Sequence, residues 1–306
     1  MPELPEVQTI VSDLNLKALG KKITGVWADP RCRGTFLESG GKGKSVEIRK
    51  LLEKLKGFGF SRIERRGKNI LFHLKKGRTE LDFLVHPKMT GHFLFGRFQL
   101  EGKPPVLRPA ENDSALTEKK NGYLRFGFKL DSGDFLVFSD LRRFAKIILG
   151  SPRDLEGSGH LALGPDALSP ELDLKKFKKI ILAERRNIKS VLLDQSVLAG
   201  LGNIYTDEIL WLAGVHPLVR PARLSEEALK AIFSATKRVL KQSIRLRGTS
   251  FSDFRDLLGR PGGYLAKRRV YKRAGEACPR CGQPISRLKI GSRTAHFCPN
   301  CQRPLP

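Results

Sequence analysis

Two Cys-x-x-Cys pairs stand near the carboxyl end, Cys278-Pro-Arg-Cys281 and Cys298-Pro-Asn-Cys301, with sixteen residues between them. Pairs at that spacing match a tetrahedral four-thiolate zinc site in which each pair forms a knuckle at one end of a β-hairpin. A redox dithiol needs only one pair, and a disulfide framework does not suit a reducing compartment. Four protein ligands leave no open coordination position, so one structural Zn2+ is expected to hold shape and not to activate water. From Ala266 onward ten Lys or Arg face a single acid, Glu276. So small and cationic a unit has little core, and metal binding can supply much of its folding free energy. The segment between the pairs carries Arg287, Lys289 and Arg293, which are expected to reach phosphates or a groove. Cys32 stands apart from the quartet and is given no role.

The other end offers a different chemistry. Removal of Met1, favoured by a small second residue, is expected to expose the secondary amine of Pro2. With a pKa of ~8, an appreciable fraction of such an amine is neutral and nucleophilic at neutral pH. Attack on a sugar carbon gives a cationic iminium, an electron sink that makes elimination of neighbouring phosphates accessible. Glu3 lies beside it and can move protons. The same residues also read simply as a well-formed helix start, since Pro is favoured in the first turn. A third feature lies in LLDQSVLAGLGNIYTDEILWL, residues 192–212, where Gly200 and Gly202 interrupt two apolar periodicities and Asn203 opens the second. Helix, tight turn and helix is a DNA-binding arrangement whose second N-terminus, with Asn203, can grip phosphate; buried helix hairpins use such turns too.

The elements that must position these groups fall into two textures. Val7, Ile10, Val11 and Leu14 give residues 5–19 a helical apolar face, stopped by Gly20. From Lys22 to about Gly150 short β-like runs follow: 23–28, 69–74, 81–86, 92–98, 124–130 and 135–138, the last two flanking the turn signal Asp131-Ser132-Gly133-Asp134. They predict an antiparallel sandwich or barrel. Residues 101–122 read as a loop insertion. Residues 157–170, rich in Gly, Ser and Pro, read as a hinge. Helices are predicted at 171–184, 188–197, 204–213 and 225–246, the last capped by Ser225. The fold class is therefore α+β: an N-terminal helix with a β-sandwich at 1–150, a hinge at 151–170, a helical DNA-binding region at 171–265, and a zinc-bearing hairpin at 266–306.

Charge narrows the partners. The chain of 306 residues carries 57 Lys plus Arg against 31 Asp plus Glu, a formal net charge of +26. Such an excess repels itself unless a polyanion offsets it, and nucleic acid is the commonest. No window approaches the ~18 apolar residues of a membrane span, and MPELPEVQTI lacks the basic start of a secretory signal. A cytoplasmic protein, associated with the nucleoid while bound to DNA, is expected, with monomeric action the simplest case.

Taken together, PELPEVQTI, QSVLAGLGNIYTDEILWLAGVHP and CPRCGQPI…GSRTAHFCPNCQ resemble, in that order, the N-terminal signature, the helix–two-turn–helix motif and the zinc finger of the formamidopyrimidine-DNA glycosylase and endonuclease VIII family. The resemblance is closest to the first branch, and implies a bifunctional glycosylase and abasic-site lyase of base excision repair. It would act on oxidised purines (8-oxoguanine, formamidopyrimidines) in damaged double-stranded DNA through a Pro2 Schiff base and β,δ-elimination. By position, the resemblance implies Pro2 as nucleophile, Glu3 as proton donor and Glu6 as a pocket support. It makes Lys68, in RRGKNI, and Arg293 phosphate contacts and proton donors for elimination, with Asn203 a further phosphate clamp. Met89 in KMTG and Arg142 with Phe144 in SDLRRFA correspond to the trio that fills the space left by an extruded base. Extrusion costs a few kcal/mol of stacking, which an apolar wedge beside a hydrogen-bonding Arg can replace. The lesion-reading loop is expected within 248–271. HPKMTG, RVYKRAG and FAKI depart from the usual HLGMTG, VYGRxG and FGxW-like segments, and the 101–122 insertion has no clear counterpart. These departures bear on the lesion spectrum, not on the nucleophile or zinc ligands. An endonuclease VIII-like enzyme for oxidised pyrimidines and a catalytically silent reader of damaged DNA are the alternative readings.

Overall fold

The computed structural model describes residues 2–30, 36–38, 48–110, 114–157, 159, 161–251 and 253–303, with residues 36–38 described in their backbone only. Cys32 and part of the 101–122 insertion lie outside this set. The chain divides into two compact units, residues 1–162 with 247–262, and 163–246 with 263–306. The segment 247–262, read from sequence as part of the helical region, thus packs with the first unit.

In the first unit, helix α1 (Leu4–Lys17) precedes a sandwich. One sheet has the order β1 (Ile23–Ala28), β9 (Leu124–Leu130), β10 (Phe135–Ser139), β6 (His92–Gly96). The other runs β2 (Phe36–Glu38), β11 (Lys146–Gly150), β5 (Thr79–His86), β4 (Asn69–Lys76), β3 (Gly59–Arg66). All ladders are antiparallel except β2 with β11, which is parallel. Phenylalanines lock the sheets together: Phe83 meets Phe126 and Phe128 edge-on at 6.1 and 5.7 Å, and Phe72 meets Phe93 at 5.4 Å. Val7, Ile10, Val11 and Leu14 of α1 join the same core, with Leu51 and Leu52 of helix α2 (Ile48–Glu53).

The outer faces are covered too. Trp27, Leu94, Phe135 and Val137 back onto Phe98, Leu107 and Leu116, from a hairpin of β7 (Phe98–Glu101) and β8 (Val106–Pro109) and the segment after it. The region read as a loop insertion therefore contains an ordered hairpin whose apolar side seals the sandwich. On the other sheet, Leu155 of helix α3 (Pro152–Gly157) covers Leu71, Leu84 and Ile148.

The second unit carries helices α4 (Leu174–Leu182), α5 (Ile188–Leu193), α6 (Asn203–Ala213) and α7 (Glu226–Arg245), then the hairpin β12 (Ser286–Ile290) and β13 (Arg293–Phe297). Helix starts follow capping chemistry: Asp173, Asn187 and Ser225 accept from backbone N–H groups three residues on, at 2.7, 2.9 and 3.2 Å. Helix α5 is shorter than the sequence suggests. The Asp194 carboxylate accepts from the Ser196 N–H at 2.9 Å and turns the chain there.

Phe126 is fully buried and touches Phe83, Phe93, Phe128 and Phe138. Phe126→Ala is expected to lower stability by about 3–5 kcal/mol, read as a fall in the urea midpoint at unchanged zinc content.

Candidate active site and nucleic-acid interface

The amino terminus is held by its own helix. Glu3 is the N-cap of α1, and its N–H donates to Oε2 of Glu6 at 2.9 Å, one limb of a capping box. The other Glu6 oxygen accepts the Thr249 N–H at 2.6 Å. Both carboxylates are almost wholly enclosed, at 2% and 1% exposure, and Pro2 is buried beside them. The close approach of Thr249 depends on Gly248, which has φ +82° and whose added Cβ would lie 2.9 Å from the Glu6 carboxylate. Arg247 anchors the same loop with ion pairs to Asp13 of α1 and Asp256.

Lys68 sits in the tight β3–β4 turn, 7% exposed. Arg65 steadies that turn, donating to the Gly67 carbonyl at 3.0 Å and to Gln8 of α1 at 2.9 Å. Nearby positive charge is felt by His86 at the end of β5. Burial first, then Lys88, Lys68 and Lys146, push its pKa down from 6.5 to about 3. Its Nδ1 accepts the Lys88 N–H at 3.0 Å, so the neutral ring shapes the following turn.

That turn brings the three proposed wedge residues together. Arg142 donates to the Met89 sulfur at 2.9 Å, and its guanidinium lies 4.5 Å from the centre of the Phe144 ring. Met89 is 40% and Phe144 51% exposed, so two apolar side chains flank the Arg142 guanidinium at the surface. Sequence reasoning missed what builds the cluster. Asp140 accepts from Thr90 Oγ1 and, at 3.3 and 3.0 Å, from the N–H groups of Arg142 and Ala145. Thr90 Oγ1 in turn takes the Arg142 N–H at 3.0 Å. An Asp two residues before Arg142 is an Asx-turn signal that could have been read.

In the second unit, α6 presents Asn203, Asp207 and Trp211 at four-residue intervals, hence on one face. Asn203 Nδ2 donates to the Thr294 carbonyl at 3.0 Å, setting its side chain beside Arg293, which is exposed at the start of β13. Asp207 accepts from the His296 N–H at 2.9 Å and pairs with the buried Lys189. Trp211 Nε1 donates to the Cys278 sulfur at 3.4 Å. Glu208, 1% exposed, receives the N–H groups of Arg269, Val270 and Tyr271 at 2.7, 2.9 and 2.9 Å. Burial nonetheless leaves its carboxyl above the usual range. Gln195 braces the preceding turn, accepting from Gly200 N–H at 2.9 Å and donating to the Leu201 carbonyl at 2.8 Å.

The four cysteine sulfurs lie within 4.8 Å of one another, with Cys278–Cys301 at 4.0 Å and Cys281–Cys298 at 3.5 Å. A tetrahedral zinc with Zn–S near 2.3 Å requires sulfurs about 3.8 Å apart, so the quartet fits that ion. Knuckle N–H groups of Arg280 and Cys301 point at Cys278 and Cys298 at 3.4 and 3.5 Å, as suits thiolates.

Comparison with known proteins places this architecture. The formamidopyrimidine-DNA glycosylase N-terminal domain model matches residues 1–147, the H2TH domain model of the same glycosylase 163–255, and a zinc finger found in FPG and IleRS 275–304. The formamidopyrimidine-DNA glycosylase of Moorella thermoacetica is 37% identical over 290 residues, covering 94% of this chain and 95% of that one. The chain belongs to the formamidopyrimidine-DNA glycosylase family. The Desulforamulus reducens member is 34% identical over 292 residues, covering 95% of each. A Lactococcus lactis FPG mutant in complex with Fapy-dG-containing DNA superposes with a TM-score of 0.80 at 28% identity, over 99% of this chain and 100% of that one. MutM in complex with carbocyclic 8-oxo-G-containing DNA gives 0.79 at 28%, with the same coverage. The zinc finger of this family member is structural. No helix among the described residues is long and apolar enough to cross a membrane.

Two outcomes follow. Chelating the zinc is expected to unfold residues 275–303 and abolish duplex DNA binding, seen as lost amide dispersion in that segment and a lost gel shift. His86 has a folded pKa below its unfolded value, so its contribution to stability is complete above pH 6.5 and shrinks as pH falls towards about 3. Within that window the slope is at most about 1.4 kcal/mol per pH unit, and His86→Asn is expected to flatten the acid limb of stability measured against pH.

Proposed function

We propose that this chain is a bifunctional glycosylase and abasic-site lyase that excises oxidised purines from duplex DNA, with Pro2 as its nucleophile. The observation that carries the reading is Pro2 itself, buried beside the enclosed Glu3 and Glu6 carboxylates at the head of α1. The names and bound DNA of the relatives supply the substrate class.

With Met1 removed, the secondary amine of Pro2 forms a bond to C1′ as the glycosidic bond breaks, and its proton leaves with the base. Protonation of the ring oxygen, assigned to Glu3, opens the sugar and leaves an iminium. Loss of a C2′ proton then expels the 3′ phosphate, loss of the C4′ proton expels the 5′ phosphate, and water hydrolyses the remaining iminium to free Pro2. Lys68 and Arg293 hold these phosphates and supply protons, with Asn203 as a further clamp; the turn position of Lys68 and the exposure of Arg293 support that role. Glu6 acts through position, since its two oxygens fix Glu3 and Thr249. Met89, Arg142 and Phe144 fill the gap beneath the extruded nucleotide. The enzyme acts as a monomer, in the cytoplasm at the nucleoid.

Borohydride trapping on duplexes carrying 8-oxoguanine or an oxidised pyrimidine tests the reading. A covalent adduct on the purine lesion that disappears in Pro2→Gly is expected. Tight binding without an adduct would identify a silent reader, and adducts on the pyrimidine alone would move the enzyme to the other branch.

A further inference from the structure

The wedge turn and the loop 253–260 are joined by a chain of buried polar groups that passes through the end of the insertion. His92 on β6 is 1% exposed; its Nδ1 lies 3.1 Å from the carbonyl of Thr90, beside Met89, and its Nε2 lies 3.0 Å from Asn121 Oδ1. Asn121, also 1% exposed, donates its amide to the carbonyls of Ala115 at 2.7 Å and Gly259 at 3.1 Å. Two carbonyls facing the amide nitrogen fix the orientation of Asn121, with its oxygen towards His92. Gly259 has φ +78°, and an added Cβ would lie 2.7 Å from Asn121 Nδ2 and 2.9 Å from the Ala115 carbonyl. Alongside, the Arg255 guanidinium donates from Nε and Nη2 to the two carboxylate oxygens of Glu118, at 2.8 and 2.6 Å. The Phe95 N–H donates to the Leu257 carbonyl at 2.8 Å.

We propose that His92 and Asn121 are positioning residues that set the 253–260 loop against the Met89–Arg142–Phe144 wedge, so that reading of the damaged base depends on the Thr90–His92–Asn121–Gly259 connection. The inference rests on the glycosylase reading above and assigns a task to residues 115–121, the far end of the insertion. The imidazole faces two acceptors, the Thr90 carbonyl and the Asn121 oxygen, and a neutral ring has a single N–H. The neutral ring therefore donates to one of these acceptors at a time, and its tautomer decides whether it bonds to the wedge turn or to the insertion. Asp140 and Arg255 are the charged groups that act on the ring, with opposite signs.

The test separates base reading from chemistry on the sugar. Single-turnover excision of 8-oxoguanine and strand cleavage at a preformed abasic site are measured for the parent, Asn121→Ser and Gly259→Ala, which cut the same junction from opposite sides. Excision is expected to fall roughly tenfold or more in both variants, with abasic-site cleavage unchanged and faster amide exchange across 253–260. Excision unchanged in both variants, or both activities lost in parallel in both, overturns the proposal. Borohydride adducts of the parent are scored in the same series. Their absence would refute the glycosylase reading, whereas adducts in the parent without the split in the variants refute only this inference.

Discussion

One carboxylate carries an unusual share of the architecture. Glu6 is enclosed by protein and spends one oxygen on the N–H of Glu3 and the other on the N–H of Thr249. The first bond fixes the direction in which the chain leaves Pro2, and the second fixes the entry to the 248–262 loop. A shorter or uncharged side chain would leave at least one buried N–H without its partner, a cost of about 1–3 kcal/mol. It would also release the Pro2 end of α1 and the loop from each other. The demand spreads outward: residue 248 must lack a Cβ, and Gly262 must as well, since a Cβ there would lie 2.3 Å from the Gly248 carbonyl.

The two units solve their positioning problems by different means. In the first, a Phe-rich sandwich buried on both faces forms a stiff platform, and the side chains proposed for the site sit on turns at its margin: Lys68 after β3, Met89 after β5, Arg142 and Phe144 after β10. In the second there is little sandwich to lean on, and helix α6 is the frame. Its Asn203, Asp207 and Trp211 reach the zinc hairpin, while Glu208 reaches the segment leading into it. Zinc and helix together reinforce the small apolar cluster of Trp211, Val270 and Ile285 beneath this cationic hairpin.

What could be read from sequence follows physical visibility. The cysteine quartet, the Ser225 cap and the apolar face of α1 were legible because spacing alone determines them. Strand β3 escaped because GFSRIERR buries only Phe60 and Ile63, and a bulge between Phe60 and Arg62 breaks its alternation. Strand β11 escaped because KIILG is too short to distinguish from a buried helix turn. The hairpin at 98–109 hid behind prolines, and its apolar side is recognisable only once the outer sheet face is seen to need a cover. For the site, residue chemistry suggested Pro2, Glu3 and Asn203, but the roles of Lys68, Met89, Arg142 and Phe144 came from family resemblance. The residues that hold these in place, such as Asp140, Thr90, His92 and Gln195, act through contacts distant in sequence or through turns that composition does not flag.

Lys189 has no measurable solvent exposure and meets Asp207 inside the second unit. A buried pair of this kind is costly to halve: loss of one partner strands a charge, at about 3–5 kcal/mol, whereas replacement of both by apolar groups can be neutral. Asp207 is further bound by the β13 backbone at His296, so an apolar substitute would leave that N–H unpaired as well. Each of the two positions therefore constrains the residue type the other can take, and both bear on how the zinc hairpin docks on α6.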